Sequence, residues 1–278
     1  MLPVASGISV WTAVGYHAFY PPIVKVNKKH RRRKAMPDLK KTSAMQYLQA
    51  TKFYRRDMNK LPRTQIKPAD VAKRLPDTQP IILPRSWKTD GDSLWQVLQH
   101  RRSRRKFDEI PLSLQDLAAL LWAAQGITGQ AGRYFLRTSP SAGALYPIET
   151  YVAAVGVSGV EPGLYHFNVE DFLLETVCVD RDIGQKVANA ALNQSFLARG
   201  KAVFILAAVF RRTMVKYGNR GGRYIWMDAA HICQNILLAA ESLKRPACPV
   251  AAFYDEELNA LLDLDGTEES TIYLAVVG

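Results

Sequence analysis

Apolar and polar positions along this chain sort into short interleaved blocks, and their spacing assigns most of the elements. Ser93–His100 has the period of a short helix. Ser113 stands where an N-cap belongs, ahead of Leu114–Gln125, in which Leu117, Leu120 and Leu121 form one apolar stripe and Gly126 marks the end. Tyr151–Val157 reads as a buried strand at the end of a loop. Leu164–Asn168 and Phe172–Val179 alternate as the arms of a hairpin turning at Val169–Asp171. Ile183–Ala198 has helical spacing, and Ala202–Phe210 is a continuous apolar run suited to the middle of a sheet covered on both faces. Tyr224–Leu243 is the longest helical pattern and apolar enough to be central. Asp255 is placed to cap Glu256–Leu262, and Thr271–Val277 closes the chain as a strand. There is no internal repeat and no regular strand–helix alternation, so the pattern predicts an α+β fold rather than a doubly wound one.

Ahead of these blocks the pattern weakens. Residues 37–86 are rich in Pro, Lys and Arg and read as an extended N-terminal arm with one helical stretch, Ser43–Asn59; Pro76, Pro80 and Pro84 interrupt the residues after it. The globular fold is expected to begin near Leu83, which gives three segments: a basic tail over 1–36, the arm over 37–86 and a domain over 87–278.

Charge follows the same division. Of the net +12, residues 1–60 carry 13 Lys/Arg against 2 Asp/Glu, whereas 61–278 carry 24 against 23. The excess therefore sits in a tail containing Lys25–Lys34 (KVNKKHRRRK), a run that is usually solvated, and without a reader fold around it no specific nucleic-acid partner is expected. Met1–Pro22 lacks the basic n-region of a secretory signal, no apolar run reaches membrane-spanning length, and Met36 stands as an alternative start. Cys178, Cys233 and Cys248 are odd in number and widely spaced, which fits a reducing cytoplasm better than a disulfide framework.

Three stretches carry candidate chemistry. The first is Arg137–Glu149, where Pro140, Ser141, Ala142 and Gly143 keep the loop low and Pro147 fixes its far end; it reads either as a tight turn or as backbone shaped to approach a flat ligand. The second is Arg101–Lys106, five cations in six residues, which on pattern alone reads as a solvated helix end. The third is Lys216–Tyr217, on pattern alone an exposed loop lysine beside an interfacial tyrosine. Asp228, His231 and Asn235 share a helix face, yet no further ligand lies at metal spacing, so no metal site is expected and His231 reads as a core histidine. His166 and the other histidines show no partners in sequence. No Gly-x-Gly-x-x-Gly or Walker loop occurs.

Together, Arg101-Arg102-Ser103-Arg104-Arg105-Lys106-Phe107, the loop at 137–149 and Lys216-Tyr217-Gly218-Asn219-Arg220 resemble the SagB-type branch of the nitroreductase-like flavoenzymes, the FMN-dependent azoline oxidases. The likeness runs from about Trp87 to Gly278, including the helix Arg223–Asn235, and Gln46–Tyr54 resembles the stretch preceding the domain in that branch. The resemblance implies a homodimer with a mixed sheet flanked by helices around a long central helix. It implies FMN held by Arg101, Arg102, Ser103 and Arg105 at the phosphate end. Pro140, Ser141, Ala142 and Gly143 would lie over the isoalloxazine, partly across the dimer interface, and Pro249, Val250, Ala251 and Ala252 beside flavin N5. In this last segment the family's glycines are alanines, which raises the steric demand. Lys216 and Tyr217 correspond to the pair that moves the proton when an azoline is oxidised to an azole, with burial or Arg211, Arg212 and Arg220 expected to lower the lysine pKa. Family members usually carry a basic residue after the final Val-Gly, where this sequence stops at Gly278, so Arg101 and Arg105 are expected to bear more of the phosphate charge. The implied partners are a cyclodehydratase and a ribosomally made peptide precursor. Two other functions stay open: an NAD(P)H-dependent nitro or quinone reductase, and a flavin-poor scaffold of a peptide-modification complex.

Overall fold

The computed structural model describes residues 41–53, 69–70, 72–75, 78–87, 91–132 and 134–278; the basic run, Pro76 and the second part of the expected helix 43–59 lie outside them. The chain resolves into two compact units, Met1–Gln46 and Tyr47–Gly278. Of the first, the described residues contribute the opening of helix α1 (Ser43–Ala50); the sheet and its flanking helices belong to the second.

Local signals fix the entry to the domain. The two-residue strand β1 (Ile81–Ile82) leads to buried Leu83. Helix α2 (Leu94–His100) starts from a capping box in which the Ser93 hydroxyl accepts from Gln96 N–H and the Gln96 side chain accepts from Ser93 N–H. Helix α3 (Leu114–Gln125) is capped by Ser113 Oγ, which accepts from Asp116 N–H at 3.0 Å, and ends where Gly126 N–H donates to Trp122 O at 2.7 Å. A small hairpin, β2 (Ile127–Ala131) and β3 (Tyr134–Arg137), comes next; its mixed composition gives no alternation to detect.

The main sheet then forms from β4 (Ile148–Ala154), β5 (Gly163–Asn168), β6 (Leu173–Val179), β7 (Ala202–Val209), β8 (Ala247–Val250) and β9 (Glu269–Val277) together with β1. Among the described residues it has seven strands in the order β1-β6-β5-β4-β7-β9-β8. Its ladders are antiparallel throughout; parallel pairing enters only as the isolated bridges Ser103–Ala247 and Leu112–Val157. Helix α4 (Ile183–Ala190), helix α5 (Phe196–Arg199), helix α6 (Phe210–Tyr217), helix α7 (Gly221–Ser242) and helix α8 (Asp255–Leu261) complete the chain.

Strand β7 shows why the sheet is central. Ala202, Phe204, Leu206 and Ala208 pack into one core with α3 and α7, while Val203, Ile205 and Ala207 pack into a second with α4, α5 and α8. Every second side chain faces the opposite layer, so a run with no polar residue is what a strand covered on both sides requires. The 22-residue helix α7 is the long central helix that the pattern predicts.

Several boundaries differ from the sequence expectation. The strand expected at Tyr151–Val157 runs Ile148–Ala154, because Val155 and Gly156 N–H both turn to Lys201 O. The helix expected over Ile183–Ala198 is two helices, interrupted by left-handed Leu192 and Asn193, each at φ +57°. The strand expected to include Phe210 stops at Val209, and Phe210 opens a helix that carries Lys216 and Tyr217 out of a loop. His231 is exposed rather than in the core. Among the described residues no helix is long and apolar enough to cross a membrane, and no His, Cys, Asp and Glu cluster has metal-holding geometry.

Candidate active site

The loop between β3 and β4 is fastened from beneath by α7. Ser141 Oγ donates to Asp228 Oδ2 at 2.6 Å and accepts Tyr146 N–H at 2.9 Å, and Ala142 N–H reaches Asp228 Oδ1 at 3.4 Å. Burial raises the Asp228 carboxyl above its usual range, and the bonds from Ser141 and Ala142 pull against that rise. Ser139 Oγ donates to Ala124 O at 2.7 Å and accepts from Asn235 Nδ2 at 3.0 Å. Three residues of this loop are left-handed: Gly143 at φ +66°, and Ala144 and Tyr146, for which that region is uncommon, at +53° and +42°. Tyr146 is held there by Arg212 Nη1, which donates to its carbonyl at 3.2 Å, and by the Arg137 guanidinium, 4.4 Å from its ring centroid. Pro140 and Gly143 are exposed, while Ser141 and Ala142 are half-buried.

Over Gly143 stand Lys216 and Tyr217, the last two residues of α6. A Cβ at Gly143 would lie 2.7 Å from Lys216 Nζ and 2.7 Å from Tyr217 Oη, so two stretches more than seventy positions apart in sequence meet where only a glycine leaves space. Tyr224 packs edge-on against Tyr217, ring centroids 4.9 Å apart. Each of the arginines expected to crowd Lys216 has a partner of its own. Arg211 pairs with Glu268 at 2.6 Å and Arg212 with Glu149 at 2.6 Å, while Arg220 donates to Thr51 O and stacks on Phe53. Lys216 itself is exposed within the single chain.

Arg101–Lys106 runs beside β8. Ser103 bridges Ala247, Arg104 N–H donates to Ala247 O at 2.8 Å, and the neighbouring Cys248 thiol donates to Pro249 O at 3.4 Å. The Arg105 guanidinium lies over Phe196, and Arg102 donates back to Gln99 O at 3.0 Å. Arg104 takes the nearby carboxylate, Glu241. Among the described residues no carboxylate pairs with Arg101, Arg102, Arg105 or Lys106, which leaves a concentrated positive charge suited to a phosphate. Further along, Pro249 is half-buried, Val250 is buried and Ala251 and Ala252 are exposed; Ala252 O accepts from Gln194 Nε2 at 2.9 Å.

Sheet register separates these groups. Ser103 joins the sheet at the row Ala247–Val277–Ala202–Ala154, whereas the Gly143 loop and α6 meet it at the row Ile148–Ala208–Ser270. The rows are the two ends of β4, roughly 20 Å apart along the strand, and β4 lies three strand spacings, roughly 14 Å, from β8. Within one chain the arginine cluster and the Gly143 wall therefore do not line a common pocket.

Sequence reasoning missed a buried charge network behind the loop. His166 lies between two carboxylates, its Nε2 2.9 Å from Glu149 Oε2 and its Nδ1 2.9 Å from Glu175 Oε2; both are acceptors, so the ring holds both protons. Arg212 Nη2 completes the chain on Glu149 Oε1. Burial pushes the Glu149 carboxyl up, but the His166 hydrogen bond and the Arg212 charge outweigh it and bring it down to about 2. For His166 burial lowers the pKa, and the bonds and charges of Glu149 and then Glu175 win, raising it. The available signal was Glu149, His166 and Glu175, the charge-bearing residues of three strands whose other positions carry no charge. The hairpin register sets His166 directly opposite Glu175, which no single strand reveals.

Comparisons with known proteins agree with this architecture. The sequence profile of the Nitroreductase family matches residues 98–278. MJ1384 of Methanocaldococcus jannaschii, named as a nitroreductase, is 40% identical over 202 residues, covering 73% of this chain and 97% of that protein. The trifolitoxin-processing protein TfxB of Rhizobium leguminosarum bv. trifolii is 30% identical over 154 residues, 52% of this chain but 40% of TfxB. A nitroreductase-type structure from Anabaena variabilis superposes with a TM-score of 0.67 at 26% identity over 84% of this chain, which spans 45% of that one. A chain of the Escherichia coli microcin synthetase McbBCD complex shares the fold, with a TM-score of 0.55 at 20% identity over 73% of this chain and 78% of that one. With the matched residues taking in the arginine cluster, the Gly143 loop and the central helix, the chain belongs to the nitroreductase family of flavin oxidoreductases.

Proposed function

We propose that this protein is an FMN-dependent dehydrogenase that oxidises azoline rings to azoles in a ribosomally made peptide. The observation that carries the reading is the meeting of Lys216 Nζ and Tyr217 Oη over Gly143. Two features fit FMN: a wall kept open by the missing Cβ of Gly143, and Arg101, Arg102 and Arg105 without carboxylate partners among the described residues. Because these features sit at opposite ends of the sheet, one flavin uses both only if two copies associate, the arginine cluster of one meeting the Gly143 loop of the other. Association of that kind also covers Lys216, which is exposed in the single chain.

Bound FMN supplies a hydride acceptor. Lys216 and Tyr217 take the proton from ring Cα, either by neutral Lys216 directly or by Tyr217 with Lys216 as its base. Ser141 and Asp228 hold the loop in place, and Ala251, an exposed residue just after β8, would offer its backbone N–H toward the flavin edge. A cyclodehydratase supplies the azoline; the trifolitoxin-processing name of TfxB supports a peptide substrate. The identity to MJ1384 over nearly its whole length favours a second reading, NAD(P)H-dependent reduction of nitro or quinone compounds.

Purified protein titrated with FMN is expected to develop a bound-flavin absorption spectrum, and failure to do so rejects both enzyme readings in favour of a scaffold. The loaded protein is then given a synthetic peptide bearing one thiazoline. Thiazole formation is expected, and Lys216→Ala should keep the flavin spectrum while losing about 10²–10⁴-fold in turnover. No thiazole, with quinone-dependent NADH oxidation indifferent to Lys216→Ala, selects the reductase reading. Arg101→Gln and Arg105→Gln are each expected to weaken FMN about tenfold, the worth of one charge-assisted hydrogen bond, and to leave riboflavin affinity unchanged. Equal losses for FMN and riboflavin would remove these arginines from the phosphate.

A further inference from the structure

We propose that Arg212 is a positioning residue for the Lys216–Tyr217 pair, locking α6 to the Gly143 loop; the inference rests on the proton-transfer role proposed for that pair. Arg212 is only 6% exposed, and its guanidinium reaches three separate segments. Nε donates to Asp70 O at 2.6 Å, Nη1 to Tyr146 O at 3.2 Å, and Nη2 pairs with Glu149 Oε1 at 2.6 Å. Arm, loop and strand β4 are thus tied to one side chain of α6.

The position of that side chain gives the tie its consequence. Arg212 precedes Lys216 by four residues, one helical turn on the same face. Tyr146, which it holds by the carbonyl, ends the loop whose Gly143 faces Lys216 and Tyr217. Helix α6 has eight residues, no side-chain cap at its N-terminus, and Arg212 and Thr213 as its buried residues. A helix this short has little stability of its own, so its placement depends on what anchors it. The anchor is itself fixed, since Glu149 is held on its other oxygen by His166, and His166 by Glu175. A lysine at 212 keeps the charge but replaces a planar fork with a single ammonium that does not span three diverging acceptors.

The test uses FMN-loaded protein and the one-thiazoline peptide. Arg212→Lys is expected to lower kcat about 10²-fold, the cost of misplacing a reacting group by about an ångström, with KM and the bound-flavin spectrum unchanged. The pH profile of kcat should shift with the altered surroundings of Lys216. In the double variant with Lys216→Ala the second substitution should cost nothing further, because there is no longer a lysine to position. Turnover equal to the unaltered protein, or losses that multiply in the double variant, overturns the proposal. If Arg212→Lys does not fold, Glu149→Gln is read in the same way. Lys216→Ala leaving thiazole formation intact overturns the parent reading, and this one with it; a null effect of Arg212→Lys alone overturns only this one.

Discussion

Gly143→Ala should lose about two orders of magnitude in turnover while costing the fold only about 1 kcal/mol. The two effects separate because of what the new methyl meets. Left-handed backbone at φ +66° makes alanine strained by an amount set by the backbone alone. The contacts, however, are Lys216 Nζ and Tyr217 Oη, each 2.7 Å from the added Cβ. Both are far ends of side chains, so the fold absorbs the methyl by moving those tips, and it is the tips that the chemistry requires in place. Gly159→Ala provides the control: its φ is +77°, and a Cβ there meets nothing within 4 Å. The strain is comparable and the site untouched, so Gly159→Ala should lower the melting temperature similarly and leave turnover alone. If both variants retain full turnover, the two tips over Gly143 are not the reacting groups.

The same residues show what was legible in the chain. Capping at Ser113, the short helical pattern before Arg101, the all-apolar run of β7 and the long pattern of α7 are local signals, and the structure follows them. Helix α6 was not legible, because Phe210-Arg211-Arg212-Thr213 continues an apolar strand into charge without a capping residue, and tertiary anchors on Arg212 supply what a cap would have. The loop and the Lys-Tyr pair were each visible as motifs, but their meeting is a property of β4 and β7 being neighbours in the sheet. Asp228 was visible only as part of an apparent trio with His231; the structure turns Asp228 inward to Ser141 and leaves His231 in solvent. The separation of the arginine cluster from the Gly143 wall needs strand order and register together, neither of which spacing along the chain contains.

His166→Leu carries the largest expected effect on stability, roughly 3–5 kcal/mol, because it removes the cation between two buried carboxylates and leaves them facing an apolar side chain. Its pH dependence identifies the cause. In the unaltered protein Glu149 is depressed from an ordinary 4.5 to about 2, so its contribution is present above pH 4.5 and is lost as pH falls toward 2. His166 is raised above its ordinary 6.5, so its contribution is full below pH 6.5 and is lost as pH rises through the folded value. The network is therefore strongest between these limits and weakens on both sides. In His166→Leu the alkaline loss disappears with the imidazole. Glu149, without the His166 hydrogen bond that holds its carboxyl down, has less to lose in acid, so the gap between the two proteins should narrow as pH falls from 4.5 toward 2. Melting temperatures of both proteins from about pH 2.5 to 8 make the comparison. Curves that run parallel would mean that His166 does not carry the proton shared between these carboxylates; curves that converge in acid place the charge of this network on the imidazole ring.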